Sequence, residues 1–194
     1  MEGVGQRIME ISPRGQNLIP VDIYTSSYRA VGKLEVTSAG VMGIMNDATS
    51  SFMEMHDARL ARLHMPTKLV DHFEIIRMVR LQVFAICLTR REDIGPKSLV
   101  RGGYATVNNI PVRIVTQVYE LEGTLEMPGR FDFSVIMAEG TSDFIPLYNA
   151  KLTAVLIPKL MVKSPCMMFN RRQVDMIGLS SQRSGIDQEK SIIA

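Results

Sequence analysis

Hydrophobic and polar residues alternate along much of the chain with a period of two. Tyr28, Ala30, Gly32, Leu34 and Val36 alternate with polar or exposed-type residues, and so do Val112, Ile114, Tyr119, Leu121, Gly123, Leu125 and Met127. Successive side chains of a strand point to opposite faces, so this pattern predicts half-buried β-structure. Phe131, Phe133 and Val135 extend the alternation. Gly140 to Asp143 then supplies a turn, and Lys151 to Ile157 reads as an apolar strand stopped by Pro158. Ile75 to Ile86 is rich in Ile, Val and Phe. Helical expectations are confined to two short stretches, Val41 to Asp47 and Gly5 to Ile11.

The pattern occurs twice. Pro20 to Val36 aligns with Pro111 to Met127, sharing Pro, Val, Ile, Thr, Tyr, Gly, Leu and Glu in register. Ile44 to Leu60 aligns with Ile136 to Leu152, Pro66 with Pro158, Val70 with Val162, and Arg80 to Ile86 with Arg171 to Ile177. Self-similarity at a fixed offset is the signature of an internal duplication. It divides the chain into an arm (1–17), a first unit (18–88), a linker (89–108), a second unit (109–179) and a polar tail (180–194). Many short strands in so few residues predict a bent sheet closed into a small barrel, once per unit. The fold expected is therefore all-β, with two tandem small barrels of SH3-like or Sm-like type. Gly32 and Gly123 occupy matching mid-strand positions, where glycine is expected only at a sharp bend or a close backbone approach.

The succession of these residues resembles the Sm-like family of small β-barrels. In the first unit the resemblance rests on Gly32-Lys33-Leu34, Met45-Asn46, Ala58 and Arg80-Leu81-Gln82-Val83. In the second it rests on Gly123-Thr124-Leu125, Met137-Ala138, Leu147-Tyr148-Asn149-Ala150 and Asn170-Arg171-Arg172-Gln173-Val174. It implies barrels that pair edge strands with their neighbours, and a single-stranded RNA site in which Asn46 corresponds to the base-reading Asn and Arg80, Arg171 and Arg172 to rim arginines. The chain departs from the family in having Ala138 as the mate of Asn46, and in having no glycine after any of these arginines.

Composition adds little to this. Net charge is +2 in 194 residues, with no Trp and few aromatics, so neither a basic excess nor a stacking platform announces a nucleic-acid binder. Arg90, Arg91, Lys97 and Arg101 form the densest basic group, read as a solvated connector that could also meet phosphates. The apolar runs are too short to span a bilayer and the N-terminus has no apolar signal core, so a cytoplasmic protein without membrane association is expected.

Cys87 and Cys166 form no CxxC pair, and Cys166 lies in the apolar run CMMF, a setting for a buried thiol. His56, His64 and His72 are evenly spaced but have Tyr148, Leu156 and Ser164 as mates, so no metal or other cofactor is expected. Nucleophile-elbow and phosphate-loop motifs are missing, which predicts a protein that is not an enzyme. The 14 methionines read as core filler, or as an adaptable surface for a protein partner. The expected function is a self-associating scaffold or regulatory interaction module, a homo-oligomer joined through edge strands. RNA binding is the alternative.

Overall fold

The computed structural model describes residues 17–96, 107–139 and 142–180. The described chain is all-β, as the alternation predicts, with ten strands and one short helix: β1 (Asn17–Thr25), β2 (Tyr28–Val36), α1 (Gly40–Met45), β3 (Phe52–Arg62), β4 (Leu69–Val79), β5 (Val83–Leu88), β6 (Val107–Thr116), β7 (Tyr119–Pro128), β8 (Phe144–Ala154), β9 (Met161–Asn170) and β10 (Val174–Leu179). One-turn 3-10 segments at Arg80–Gln82 and Arg171–Gln173 separate β4 from β5 and β9 from β10.

All ten strands belong to one antiparallel sheet, in the order β10-β6-β7-β8-β9-β5-β1-β2-β3-β4. The sheet is not closed: β10 and β4 are its two ends. The first five strands take the order β5-β1-β2-β3-β4, and the last five repeat it as β10-β6-β7-β8-β9. The halves are joined by β5 pairing with β9, with Ala85 opposite Phe169, Ile86 opposite Met168, Cys87 opposite Met167 and Leu88 opposite Cys166.

This seam explains the two continuous apolar runs, VFAICL and CMMF. A strand covered on one face alternates, whereas a strand covered on both does not. Val83, Ile86, Leu88, Cys166 and Met168 lie in one core cluster; Phe84, Ala85, Cys87, Met167 and Phe169 lie in the other. The first core also takes Phe144 and Tyr148 from the second half, and the second takes Tyr24 and Leu63 from the first. The two cores are therefore not private to the two units.

Gly32 and Gly123 mark the same device in each half. The β2–β3 register shifts between Val31 and Lys33, and the β7–β8 register between Glu122 and Thr124. A Cβ on Gly32 would lie 2.8 Å from the His56 carbonyl oxygen, and one on Gly123 would lie 2.9 Å from the Tyr148 carbonyl oxygen. Facing them, Asp57 and Asn149 adopt left-handed backbone (φ 49 and 48), a conformation Asp and Asn tolerate better than most residues. The glycines thus serve close backbone approach at an irregularity in the pairing.

Two sequence expectations change, and one apolar run is resolved into its elements. Phe131 to Val135 does not continue a strand: β7 stops at Pro128, Gly129 takes φ 80, and the Asp132 carboxylate accepts from the amides of Ser134 (2.8 Å) and Val135 (3.4 Å), starting a π-helical turn at Val135–Glu139. The run Ile75 to Ile86 is two strands, because the Arg80–Gln82 turn breaks it. Strand β8 ends at Ala154, before Pro158 is reached. The Val41 helix is present as α1, whereas the Gly5 helix and most of the arm and tail lie outside the described residues, as do Lys97 and Arg101 of the linker.

Burial at the seam sets a test. Ile86 is fully buried in the seam, while its counterpart Ile177 lies on the end strand β10 and is only partly buried. Ile86→Ala is expected to destabilise the fold by about 2–5 kcal/mol and Ile177→Ala by less than about 1.5 kcal/mol, read from urea unfolding midpoints of the purified variants. Equal losses would contradict the asymmetry.

Candidate functional site at the seam

The α1 helix is a single turn and a half, and its last carbonyls have no partner within the helix. Arg80 supplies one. Its guanidinium donates from Nη1 to the carbonyls of Ile44 (2.9 Å) and Met45 (3.0 Å), and from Nη2 to that of Asp47. A cation at a helix C-terminus is also favoured by the aligned peptide dipoles. Arg171 repeats this in the second half, donating from Nη1 to the carbonyl of Ile136 at 3.3 Å, with Asp143 3.7 Å from its Nε. The matched arginines therefore hold matched turns.

Asn46 closes α1 and reaches across the seam. Its amide donates to the Phe144 carbonyl (3.0 Å) and its Oδ1 accepts from the Phe144 amide (2.8 Å), so the side chain acts as a strand partner for the first residue of β8. Arg172, 61% exposed, donates from Nε to Asp143 at 2.9 Å.

Asn46, Arg80 and Arg172 line one cavity of about 450 Å³ at the seam, with Asp143 and Asn170. Arg171 instead borders an adjacent, largely apolar cavity of about 370 Å³ with Met42, Leu125 and Ile136. Of the four residues that the Sm-like resemblance assigns to RNA, three are thus brought together and one stands apart. All four make hydrogen bonds to protein atoms.

Two further residues, to which the sequence assigned no role, donate across the seam. Asn170, 1% exposed, donates to the Val83 carbonyl (3.0 Å) and accepts from the Arg172 amide (3.0 Å). Ser164 donates its hydroxyl to the Leu88 carbonyl at 2.7 Å. The available signal for Asn170 was its mismatch with its repeat mate Val79, whereas strand register gives Ser164 the place of Phe73, one residue on from the His72 that the sequence alignment pairs with it. Among the described residues no buried side-chain nitrogen or oxygen lacks a partner.

Elsewhere the polar groups are spent on structure. Asp22 receives the Arg29 guanidinium (2.7 Å) and the Tyr24 hydroxyl (2.9 Å). His72 pairs with Asp57 at 2.7 Å, a hydrogen bond that holds the Asp57 carboxyl below its ordinary range. His56 lies 3.8 Å from Glu35, and among the described residues no three His, Cys, Asp or Glu side chains form a metal-binding group. From the linker, Arg91 stacks 4.1 Å over the Tyr148 ring and pairs with Glu126, fastening the end of the first half to the second.

Compared with known proteins, the chain matches no family model, no curated protein and no solved structure. Among the described residues no helix is long and apolar enough to cross a membrane.

Burial in the seam pushes the Cys166 thiol up to about 12 and the Cys87 thiol higher than its ordinary value. Both are therefore expected to resist an aromatic disulfide reagent at pH 8 in the native protein and to react after unfolding, since the thiolate is the nucleophile. The folded state favours the neutral thiols. Their contribution to stability is complete below the unfolded value of about 8.5 and declines as pH rises through the folded values, so urea midpoints should fall from about pH 8.5 upward. Rapid labelling of native protein would contradict this.

Proposed function

We propose that this protein is a non-enzymatic, self-associating scaffold or interaction module of the cytoplasm, built by internal duplication from two Sm-like, SH3-like small barrels. The observation that carries the reading is the identity of the strands at the seam and at the ends. The seam joins the fifth strand of one half to the fourth of the other. The strands left at the two ends, β10 and β4, are again a fifth and a fourth. The β10 strand of one copy can therefore meet β4 of another in the arrangement that β5 and β9 already use.

Such a contact is heterologous, with different surfaces on the two copies, and it propagates into a closed ring or an open filament. The end strands carry apolar side chains suited to it: Ile75 and Val79 on β4 are each 53% exposed, and Met176 on β10 is 62% exposed. An unpaired edge with such side chains is a template for another strand.

Light scattering and sedimentation of the intact protein test this. The expected result is a mass of at least two copies at micromolar concentration. Ile75→Lys and Met176→Lys, one on each edge, should each reduce it to a monomer with little change in thermal stability. A wild-type monomer at high micromolar concentration would overturn the reading.

A single-stranded RNA ligand is the second reading, favoured by the convergence of Asn46, Arg80 and Arg172 on one cavity. It predicts that fluorescent oligo-U binds at low salt with an affinity falling steeply as salt rises, because phosphate contacts release counterions, and that Arg172→Ala weakens it. Lack of binding at low salt would remove this reading.

A further inference from the structure

The seam within the chain and the seam proposed between chains use corresponding strands but not corresponding side chains. Inside the chain, three of the donors that cross the joint have no match at the free edges: Asn46 on Phe144, Asn170 on the Val83 carbonyl, and Ser164 on the Leu88 carbonyl. At the free edges each position holds a residue that cannot donate. Ala138, exposed on the turn before β8, replaces Asn46. Val79, opposite Phe52 as Asn170 is opposite Phe144, replaces Asn170. Phe73, opposite Ala58 as Ser164 is opposite Ala150, replaces Ser164.

The residue that Asn46 grips has a free-edge counterpart as well. Phe144 is 2% exposed, whereas Phe52 is 44% exposed. With no amide from a neighbour, the Phe52 backbone is satisfied locally: Ser50 Oγ accepts from its N–H (3.3 Å) and donates to its carbonyl (2.7 Å). Arg77 lies 5.5 Å over the Phe52 ring, covering part of it. One seam donor is kept at the free edge, since Gln173 donates to Leu81 across the seam (2.6 Å) and its counterpart is Gln82. A shared glutamine preserves register while the lost donors remove strength.

We infer that the chain makes one permanent seam within itself and a weaker, exchangeable seam with a second copy, and that Ala138, Val79 and Ser50 are the residues that set the second one weak. This rests on the self-association reading and assigns its partner, its register and its strength. By the register of β5 on β9, Met176 of one copy lies opposite Met78 of the next, and Leu179 opposite Ile75. The contact is then carried by the apolar side chains of the edges and by strand hydrogen bonds. Copies can therefore part without unfolding, while the halves cannot.

Sedimentation velocity over a concentration series tests this on the full chain. Val79→Asn restores a donor to the Val174 carbonyl of the neighbouring copy. Ala138→Asn with Ser50→Ala restores the clamp on Phe52 and frees the backbone groups that receive it. Each change is expected to tighten association by about tenfold, the effect of one or two net hydrogen bonds, with the combined variant tighter than either. Val79→Ala is the control and should not tighten it. Adding Met176→Lys should abolish the gain, which locates it at the β10 edge.

Unchanged or weakened association in the variants, with wild type still self-associating, would overturn the inference and leave the self-association reading standing. Wild type and combined variant both monomeric at high micromolar concentration would overturn both. A monomeric wild type beside an associating combined variant would overturn the self-association reading and, with it, the inference that the natural edges form a second seam.

Discussion

The structure depends on one strand pair that is buried on both faces. Where β5 meets β9, side chains alternate between two cores, so Ile86 and Met168 serve one and Cys87 and Met167 the other. Neither strand has a solvated face, and each would expose two apolar surfaces without the other. At roughly 25 cal/mol per Å² of apolar area removed from water, parting this pair costs more than parting an ordinary edge, because both faces are lost at once. The cross-contributions of Phe144, Tyr148, Tyr24 and Leu63 to the opposite cores follow from the same geometry.

Much of this was legible in the sequence, and for stated physical reasons. Period-two alternation gave the half-buried strands β2, β6 and β7, since one face of each meets a core. The matched Gly32 and Gly123 gave the two close approaches, because glycine in a strand is costly unless a backbone needs the space. The apolar run around Cys166 correctly indicated a buried thiol. What escaped was the joining of ten strands into one sheet. Strand hydrogen bonds are made by backbone common to all residues, so pairing within a chain and pairing between chains leave the same trace in the side chains. Phe131 and Phe133 misled because two alternating aromatics cannot outweigh the breaking effect of Pro128-Gly129 and the capping carboxylate of Asp132.

The candidate site was only partly legible. Arg80 and Arg171 stood out as a matched pair, but their type does not distinguish a phosphate contact from a helix cap. In the structure each donates to carbonyls of the turn that follows the second strand of its half. Asn46 was singled out through resemblance, and its placement gives it a structural task, since both ends of its amide are engaged with the Phe144 backbone. Asn170 and Ser164 were overlooked for the opposite reason. A polar residue beside an apolar run looks like a strand end, and only its register against an apolar mate reveals a seam donor.

The free edges sharpen the meaning of these donors. An edge meant only for water is usually short, charged or interrupted by proline. Strand β4 runs for eleven residues without proline, whereas its covered counterpart β9 carries Pro165 where it overhangs β5. Asp71, Glu74 and Arg77 place charge along β4, but Ile75 and Val79 between and beyond them are left bare. The charges moderate the edge without blocking it. The proline, where an edge would normally be protected, stands in the strand already paired, and the long unbroken edge stands where pairing is still to be made. This distribution is what a reversible contact needs. The backbone is open to a partner, the apolar area is modest, and the Asn46 and Asn170 amides have their places only at the seam within the chain.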